Sequence, residues 1–370
     1  NSDKLRFVFG CRVDDLVAES GRIAGCRGVI EATGEECEFT GDQTLVATGG
    51  INGNLQKVRD HWYWGDAPDD ILNGSHPYCD GAMHDVVENK GGVVTHLENM
   101  WNYAAGIPHP FPRFEGHGLS LIPCKSALWL DHSGQRIGPE PLVTGFDTHD
   151  MCGRLSAMEK PWSWQILNWR IAAREFAISG SEHNPHIRDG RTFSFLKETL
   201  FGNHRLVRQM QEESDHFIVA DTLPELVAEM NALNGDDLVQ LDHVTAAVQG
   251  FDDNVRRGPA QWNDDQVRRI VHARAWRSDR IRTCKPKPLL EHGPLIAIKL
   301  RLITRKSLGG IQTDLASRAL DRNGQPIDGL YAIGEAAGFG GGGASGKRSL
   351  EGTFLSGCIL TARAAVDSLD

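Results

Sequence analysis

Near its C-terminus the chain runs a short apolar strand, a run of glycines and a helix one after another. Gly329-Leu-Tyr-Ala-Ile-Gly334 is the strand, Gly340 to Gly343 are all glycine, and apolar spacing predicts a helix from about Thr353 to Ser368. A strand that hands over to a helix through glycines brings backbone and helix N-terminal amides close to a planar or anionic ligand. The same run also reads as a surface loop. Two better-known glycine motifs are only imitated here. Gly338-Phe-Gly340-Gly-Gly-Gly343 fits GxGxxG by composition, yet no further strand with an acidic residue follows it before the chain ends. Gly341-Gly-Gly-Ala-Ser-Gly346-Lys347 fits a phosphate loop until its last position. Arg348 stands there in place of the Ser or Thr that holds magnesium, which argues against a nucleotide triphosphatase.

At 370 residues the chain is long enough for two domains. A net charge of -10 disfavours nucleic acid and anionic membrane surfaces as partners. No apolar run approaches the roughly 20 residues of a membrane helix. The first residues are Asn1-Ser-Asp3, without an initiator Met or a secretory pattern, so a fragment or processed form is expected. Eight scattered Cys without a CxxC pair fit free thiols in a reducing, cytoplasmic compartment. His183-Asn-Pro-His186 reads as a solvated polar loop in preference to a metal site, and no metal is expected.

Alternation around Glu19-Ser-Gly21 predicts a hairpin over Arg12–Leu16 and Ile23–Glu31, and a third strand, Thr44–Ala47, runs into Thr48-Gly49-Gly50. Asp80 is an N-cap candidate for a helix with Met83, Val86 and Val87 on one face, stopped by Gly91-Gly92. Further helices are predicted over Trp162–Ser179, from the capping box Thr222-Leu-Pro-Glu225 to Asn234-Gly235, and over Asn263–Asp279. Trp101–Phe114 reads as an aromatic loop over a helical block, a lid, and Leu295–Thr304 as a strand.

Several segments, in order, resemble one family. They are Leu45-Val-Ala-Thr-Gly-Gly50, Asp80-Gly-Ala-Met-His-Asp85, Ala127-Leu-Trp-Leu-Asp-His-Ser-Gly-Gln-Arg136, Leu308-Gly-Gly-Ile-Gln-Thr-Asp314, Asp328–Gly338 and Arg348-Ser-Leu-Glu-Gly-Thr-Phe354. Together they resemble the flavoprotein superfamily of fumarate reductase, succinate dehydrogenase and 3-ketosteroid dehydrogenase, and above all the large FAD-binding dehydrogenases related to the last. The resemblance implies an α/β (α+β) fold, a discontinuous Rossmann-like FAD-binding domain with an inserted capping domain. The expected division is 1–105 and 293–370 for the flavin domain and 106–292 for the cap. The family's opening βαβ unit with GxGxxG needs about 30 residues, and nothing before Asn1 supplies it, so the flavin domain is expected to be incomplete and the chain alone to hold FAD weakly.

What the resemblance implies for single residues follows position by position. Val13 falls where family backbone meets the adenine, and Ala47, Thr48 and Gly49 where the chain passes the pyrophosphate and ribose. Gly334 and Glu335 fall at the pair whose carboxylate accepts from the ribityl chain; the bland alternative is a surface carboxylate. Gly352, Thr353 and Phe354 lead into the helix whose amides face the flavin. Arg348 falls at a substrate-binding Arg of fumarate reductases, either as a clamp on a carbonyl or carboxylate or as a structural contact of the loop. His149 falls near the acid Arg of those enzymes, which is absent here. It is a proton-transfer candidate or an ordinary surface His. The family's His before the Gly-Gly turn is also absent, since Arg305-Lys-Ser-Leu-Gly309 occupies that stretch. Trp101, Tyr103, Phe111 and Phe114 are candidates for an apolar pocket at the domain junction or plain core. The implied reaction is hydride transfer between FAD and a CH–CH or C=C bond beside a carbonyl in a steroid-like small molecule, with an electron acceptor the sequence does not identify. A catalytically silent fragment or interaction module is the competing expectation.

Overall fold

The computed structural model describes residues 4–138, 148–277, 279–339 and 353–369. The chain divides into two units: Asn1–Tyr63, Ser75–Trp101 and Thr304–Asp370 form one, and Trp64–Gly74 with Asn102–Ile303 form the other.

The first unit opens with an antiparallel meander of Cys11–Glu19, Arg22–Ile30 and Glu36–Thr40. Its alternation turns Leu16 and Ile23 inward, where they join Val46, Met83, Val87, Ile311, Leu330 and Ala332 in one core. A second sheet has the order Arg318–Leu320, Pro326–Ala332, Thr44–Val46. Its last pair is parallel, with Leu330, Tyr331 and Ala332 opposite Thr44, Leu45 and Val46. The strand before Gly49-Gly50 and the strand before Gly334 are therefore neighbours. The Asp80 carboxylate accepts from the Ala82 N–H at 2.9 Å at the head of helix Ala82–Asn89. That helix buries Met83 and Val87 on one face, as the 3.6-residue period requires.

The second unit is built on an eight-stranded sheet around Leu295–Ser307. Trp162–Asn168 lies antiparallel to Leu295–Arg301 on one side and to Leu128–Leu130 on the other. This corrects the expected helix over Trp162–Ser179, which divides into that strand, the helix Trp169–Glu175 and the short strand Ala177–Ile178. All seven residues of Trp162–Asn168 are buried. A strand covered on both faces reads as an unbroken apolar run, which periodicity does not separate from a buried helix. The switch falls at Asn168, whose side chain caps the helix by accepting from the Ile171 N–H at 3.0 Å. The lid expected over Trp101–Phe114 is corrected too. Met100–Pro108 is a strand that pairs with Gly118–Ile122 and buries Ala104, Ala105 and Ile107.

The remaining helices keep closer to expectation. Thr222 and Glu225 form the capping box of Leu223–Asn234, which Gly235 closes in the left-handed conformation. The helix expected over Asn263–Asp279 runs from Asp265 to Ala275, with Asp264 as its cap. His183 and His186 do not share a solvated loop: His183 is 4% exposed, and His186 pairs with Glu198 at 3.2 Å. Among the described residues no helix is long and apolar enough to cross a membrane.

Candidate functional site

The parallel pair in the first unit ends in two loops side by side. Thr44–Val46 runs into Ala47-Thr-Gly-Gly50, and Pro326–Ala332 runs into the turn Gly334–Ala337. The Ile333 N–H donates to the Val46 carbonyl at 2.9 Å, so the pairing continues to the strands' carboxyl ends. In open parallel sheets that is the edge at which ligands bind.

Side chains from the end of Leu295–Ser307 fasten the first of these loops. The Ile51 N–H donates to Ser307 Oγ at 2.8 Å, and Ser307 Oγ donates to Asn52 Oδ1 at 2.6 Å. Thr304 Oγ1 donates to the Asn52 carbonyl at 2.8 Å. Asn52, Thr304 and Ser307 are all buried. Gly50 has to be glycine because a Cβ there would collide with Ser307 Oγ. Gly49 has a φ of +81°, and a Cβ on it would come within 2.6 Å of Cys79 Sγ. The loop thus passes with its backbone bare, while Ala47 and Thr48 are exposed.

Glu335 joins the two loops. Its Oε1 accepts from the Ser307 N–H at 2.8 Å, and its other oxygen has no protein donor among the described residues. Burial raises its pKa above the ordinary Glu value, while the Ser307 N–H and the nearby Lys306 and Arg305 pull it back down. The preceding Gly334 N–H donates to Thr361 Oγ1 at 2.9 Å, which seats the turn on the final helix, Thr353–Asp367. A half-enclosed carboxylate with one oxygen open, beside a bare glycine turn, fits a polyol chain on a cofactor passing between the loops.

The structure brings Ala47, Thr48, Gly49, Gly334 and Glu335 together. Val13 lies in the meander opposite Gly28, half-buried against the core of the same unit. Thr353 begins the last helix. Phe354 packs on Trp101 and Phe339 at 5.2 and 4.8 Å between ring centres, under the Lys306 ammonium at 4.3 Å. Arg348 and Gly352 lie outside the described residues. His149 is half-buried in the first turn of Thr148–Ser156 in the second unit. The four pocket candidates fall in both units. Trp101 belongs to the first unit and Tyr103 to the second, Phe111 is 63% exposed, and Phe114 rests on His117 at 4.4 Å. The bonds of Asn52, Thr304 and Ser307 were not legible in the sequence, since partners some 250 positions away leave no local pattern.

The raised pKa of Glu335 has a measurable sign. Between the ordinary Glu range and the raised folded value, the unfolded carboxyl has lost its proton while the folded one keeps it. Each step up in pH through that window therefore favours unfolding. Glu335→Gln keeps an acceptor for the Ser307 N–H and removes the titration. Urea unfolding between about pH 4 and pH 8 is expected to show a smaller loss of stability with rising pH in the variant. Equal slopes would mean that the carboxyl is not held above its ordinary value.

Residues 1–355 match the family described as FAD binding domain. A KsdD-like steroid dehydrogenase of Mycobacterium tuberculosis (strain CDC 1551 / Oshkosh) is 39% identical over 382 residues, covering 98% of this chain and 67% of that protein. A KsdD-like steroid dehydrogenase of Mycolicibacterium smegmatis (strain ATCC 700084 / mc(2)155) is 40% identical over 375 residues, covering 96% of this chain and 68% of that protein. Among solved structures, a 3-ketosteroid delta1-dehydrogenase from Sterolibacterium denitrificans aligns over 97% of this chain and 59% of its own, with a TM-score of 0.66 and 15% identity. A flavocytochrome c3 fumarate reductase in its open conformation aligns over 97% of this chain and 52% of its own, with a TM-score of 0.62 and 16% identity. The chain thus spans about two thirds of the length of these curated relatives and little more than half of each solved chain. On the family match and on the two relatives, the chain belongs to the FAD binding domain family.

Proposed function

We propose that this chain carries the substrate-facing part of a flavin-dependent dehydrogenase acting on a carbonyl-bearing, steroid-like molecule. The observation that carries the proposal is the Glu335 carboxylate, held at one oxygen by Ser307 and open at the other, beside the bare Thr48-Gly49-Gly50 turn. The likeness in sequence to KsdD-like steroid dehydrogenases supports the choice of substrate class.

FAD, when bound, supplies the centre that accepts or gives the hydride. The chain's own residues bind and orient. Val13 backbone meets the adenine end, Ala47 to Gly49 carry the backbone past the pyrophosphate and ribose, and Glu335 accepts from the ribityl hydroxyls. Gly352, Thr353 and Phe354 would offer helix N-terminal amides to the flavin, whose electron-rich form their partial positive charge would favour. Arg348 holds the substrate's carbonyl oxygen, a role that suits a planar guanidinium. His149 moves the proton, since an imidazole exchanges protons near neutral pH. The flavin domain, expected over 1–105 with 293–370, takes in the first unit, and the cap, expected over 106–292, lies within the second.

A fusion tests the proposal. A dinucleotide-binding βαβ unit with GxGxxG is placed ahead of Asn1, and the product is loaded with FAD. With 3-ketosteroids and an artificial electron acceptor, the loaded fusion is expected to introduce a C=C bond beside the carbonyl. A fusion that is folded and yellow but inert toward steroids and enoates would instead favour a catalytically silent interaction module.

A further inference from the structure

Three residues from two distant segments meet in the second unit. His109 follows the strand Met100–Pro108, and Glu182 and His183 lie between the strand Ala177–Ile178 and the helix Pro185–Arg188. One ring nitrogen from each His and a Glu182 carboxylate oxygen lie within 4.8 Å of one another. His109 is 5% exposed and His183 4%. Nε2 of His109 and both ring nitrogens of His183 have no hydrogen-bond partner. Buried polar atoms rarely go unpaired, and three in one place call for an occupant.

We propose that His109, Glu182 and His183 bind a divalent transition ion of the zinc class, with a fourth position for water. Two imidazoles and one carboxylate are a donor set such ions favour. Metal–ligand distances of about 2.0–2.2 Å put neighbouring donors of a tetrahedral site about 3.4 Å apart. His109 Nε2 and Glu182 Oε2 are already at 3.7 Å, and the Glu182 side chain is 49% exposed and can swing inward. Two contacts must yield. The Phe111 N–H donates to His109 Nδ1 at 3.0 Å, and Arg113 Nη2 pairs with Glu182 Oε2 at 3.2 Å. A neutral imidazole has one lone pair, so an ion on Nε2 moves the ring proton to Nδ1 and frees the Phe111 amide. Phe111 and the Arg113 side chain are 63% and 71% exposed, and water takes over both partners. His117 stacks on the His109 ring at 4.3 Å and supports its plane. None of this depends on the flavin proposal.

The test uses the 370-residue chain, stripped with a chelator and titrated with Co²⁺ and then Zn²⁺. The expected result is one equivalent of Co²⁺ with the visible bands of a four-coordinate site, displaced by Zn²⁺, and faster hydrogen exchange at the Phe111 amide. His183→Ala is expected to weaken binding on the order of 100-fold. Glu182→Gln alters a half-exposed side chain, keeps the fold and weakens binding by about tenfold or more. If His183→Ala fails to fold, Glu182→Gln decides. His186→Ala, whose ring pairs with Glu198, is expected to bind as the wild type does. No stoichiometric uptake, or uptake unchanged in Glu182→Gln, would overturn the site.

Discussion

In the FAD-loaded fusion, Arg348→Leu is expected to lower turnover per bound flavin about 100- to 1000-fold while leaving flavin content nearly unchanged. That is the usual loss when one donor to a developing oxyanion is removed. The motivation is position in the chain. Arg348 follows the glycine run Gly340–Gly343 and stands five residues ahead of Thr353, where the final helix begins. On the proposed function, a cation there can meet the carbonyl oxygen of a substrate as charge develops on it. If Arg348 only anchors the loop, flavin occupancy falls in step with activity instead. Arg348→Lys separates the roles further, because Lys keeps the charge and loses the planar fork. Unchanged turnover per flavin in Arg348→Leu would remove it from the catalytic residues.

The second large effect concerns stability. Trp164→Ala is expected to destabilise the protein by about 3–5 kcal/mol, as truncations of buried aromatics do. Trp164 is fully buried, pairs across to Lys299 and Leu130, and packs edge-on against Trp162 with ring centres 5.8 Å apart. No neighbour in a covered strand can fill that volume without leaving its rotamer. The urea midpoint reads the effect. A loss under about 1 kcal/mol would place the ring at a surface and contradict the strand.

These residues also mark where the sequence was legible. The capping box at Thr222 and Glu225 and the closing Gly235 could be read because their partners are three or four residues away. The strands before Gly49 and Gly334 could be read singly from their short apolar runs. Trp162–Asn168 could not, because burial on both faces erases the alternation that marks a strand. The one local clue was Asn168, a residue type that caps helices, seven positions inside the expected helix. At the candidate site, Glu335 was legible through its Gly-Glu setting. The lock of Ile51 and Asn52 on Ser307 was not, because it closes across most of the chain. His183 was legible as a His beside a polar turn. Its burial against His109 depends on the strand Met100–Pro108, which the aromatic residues around it disguised as a loop.

The central claim is that Glu335 and the Thr48-Gly49-Gly50 turn hold FAD, and a flavin titration tests it most directly. FAD is titrated, following the quenching of its fluorescence, into three proteins: the 370-residue chain, the fusion, and the fusion with Glu335→Gln. Binding by the 370-residue chain is expected to be weaker than by the fusion, because the added glycine turn and its helix dipole bind pyrophosphate. The account predicts stoichiometric binding by the fusion. In Glu335→Gln, binding should weaken by about tenfold, the equivalent of one charge-assisted hydrogen bond, with stability no lower than that of the fusion. Tight stoichiometric FAD on the 370-residue chain, or equal affinity in the fusion with and without Glu335, would contradict it.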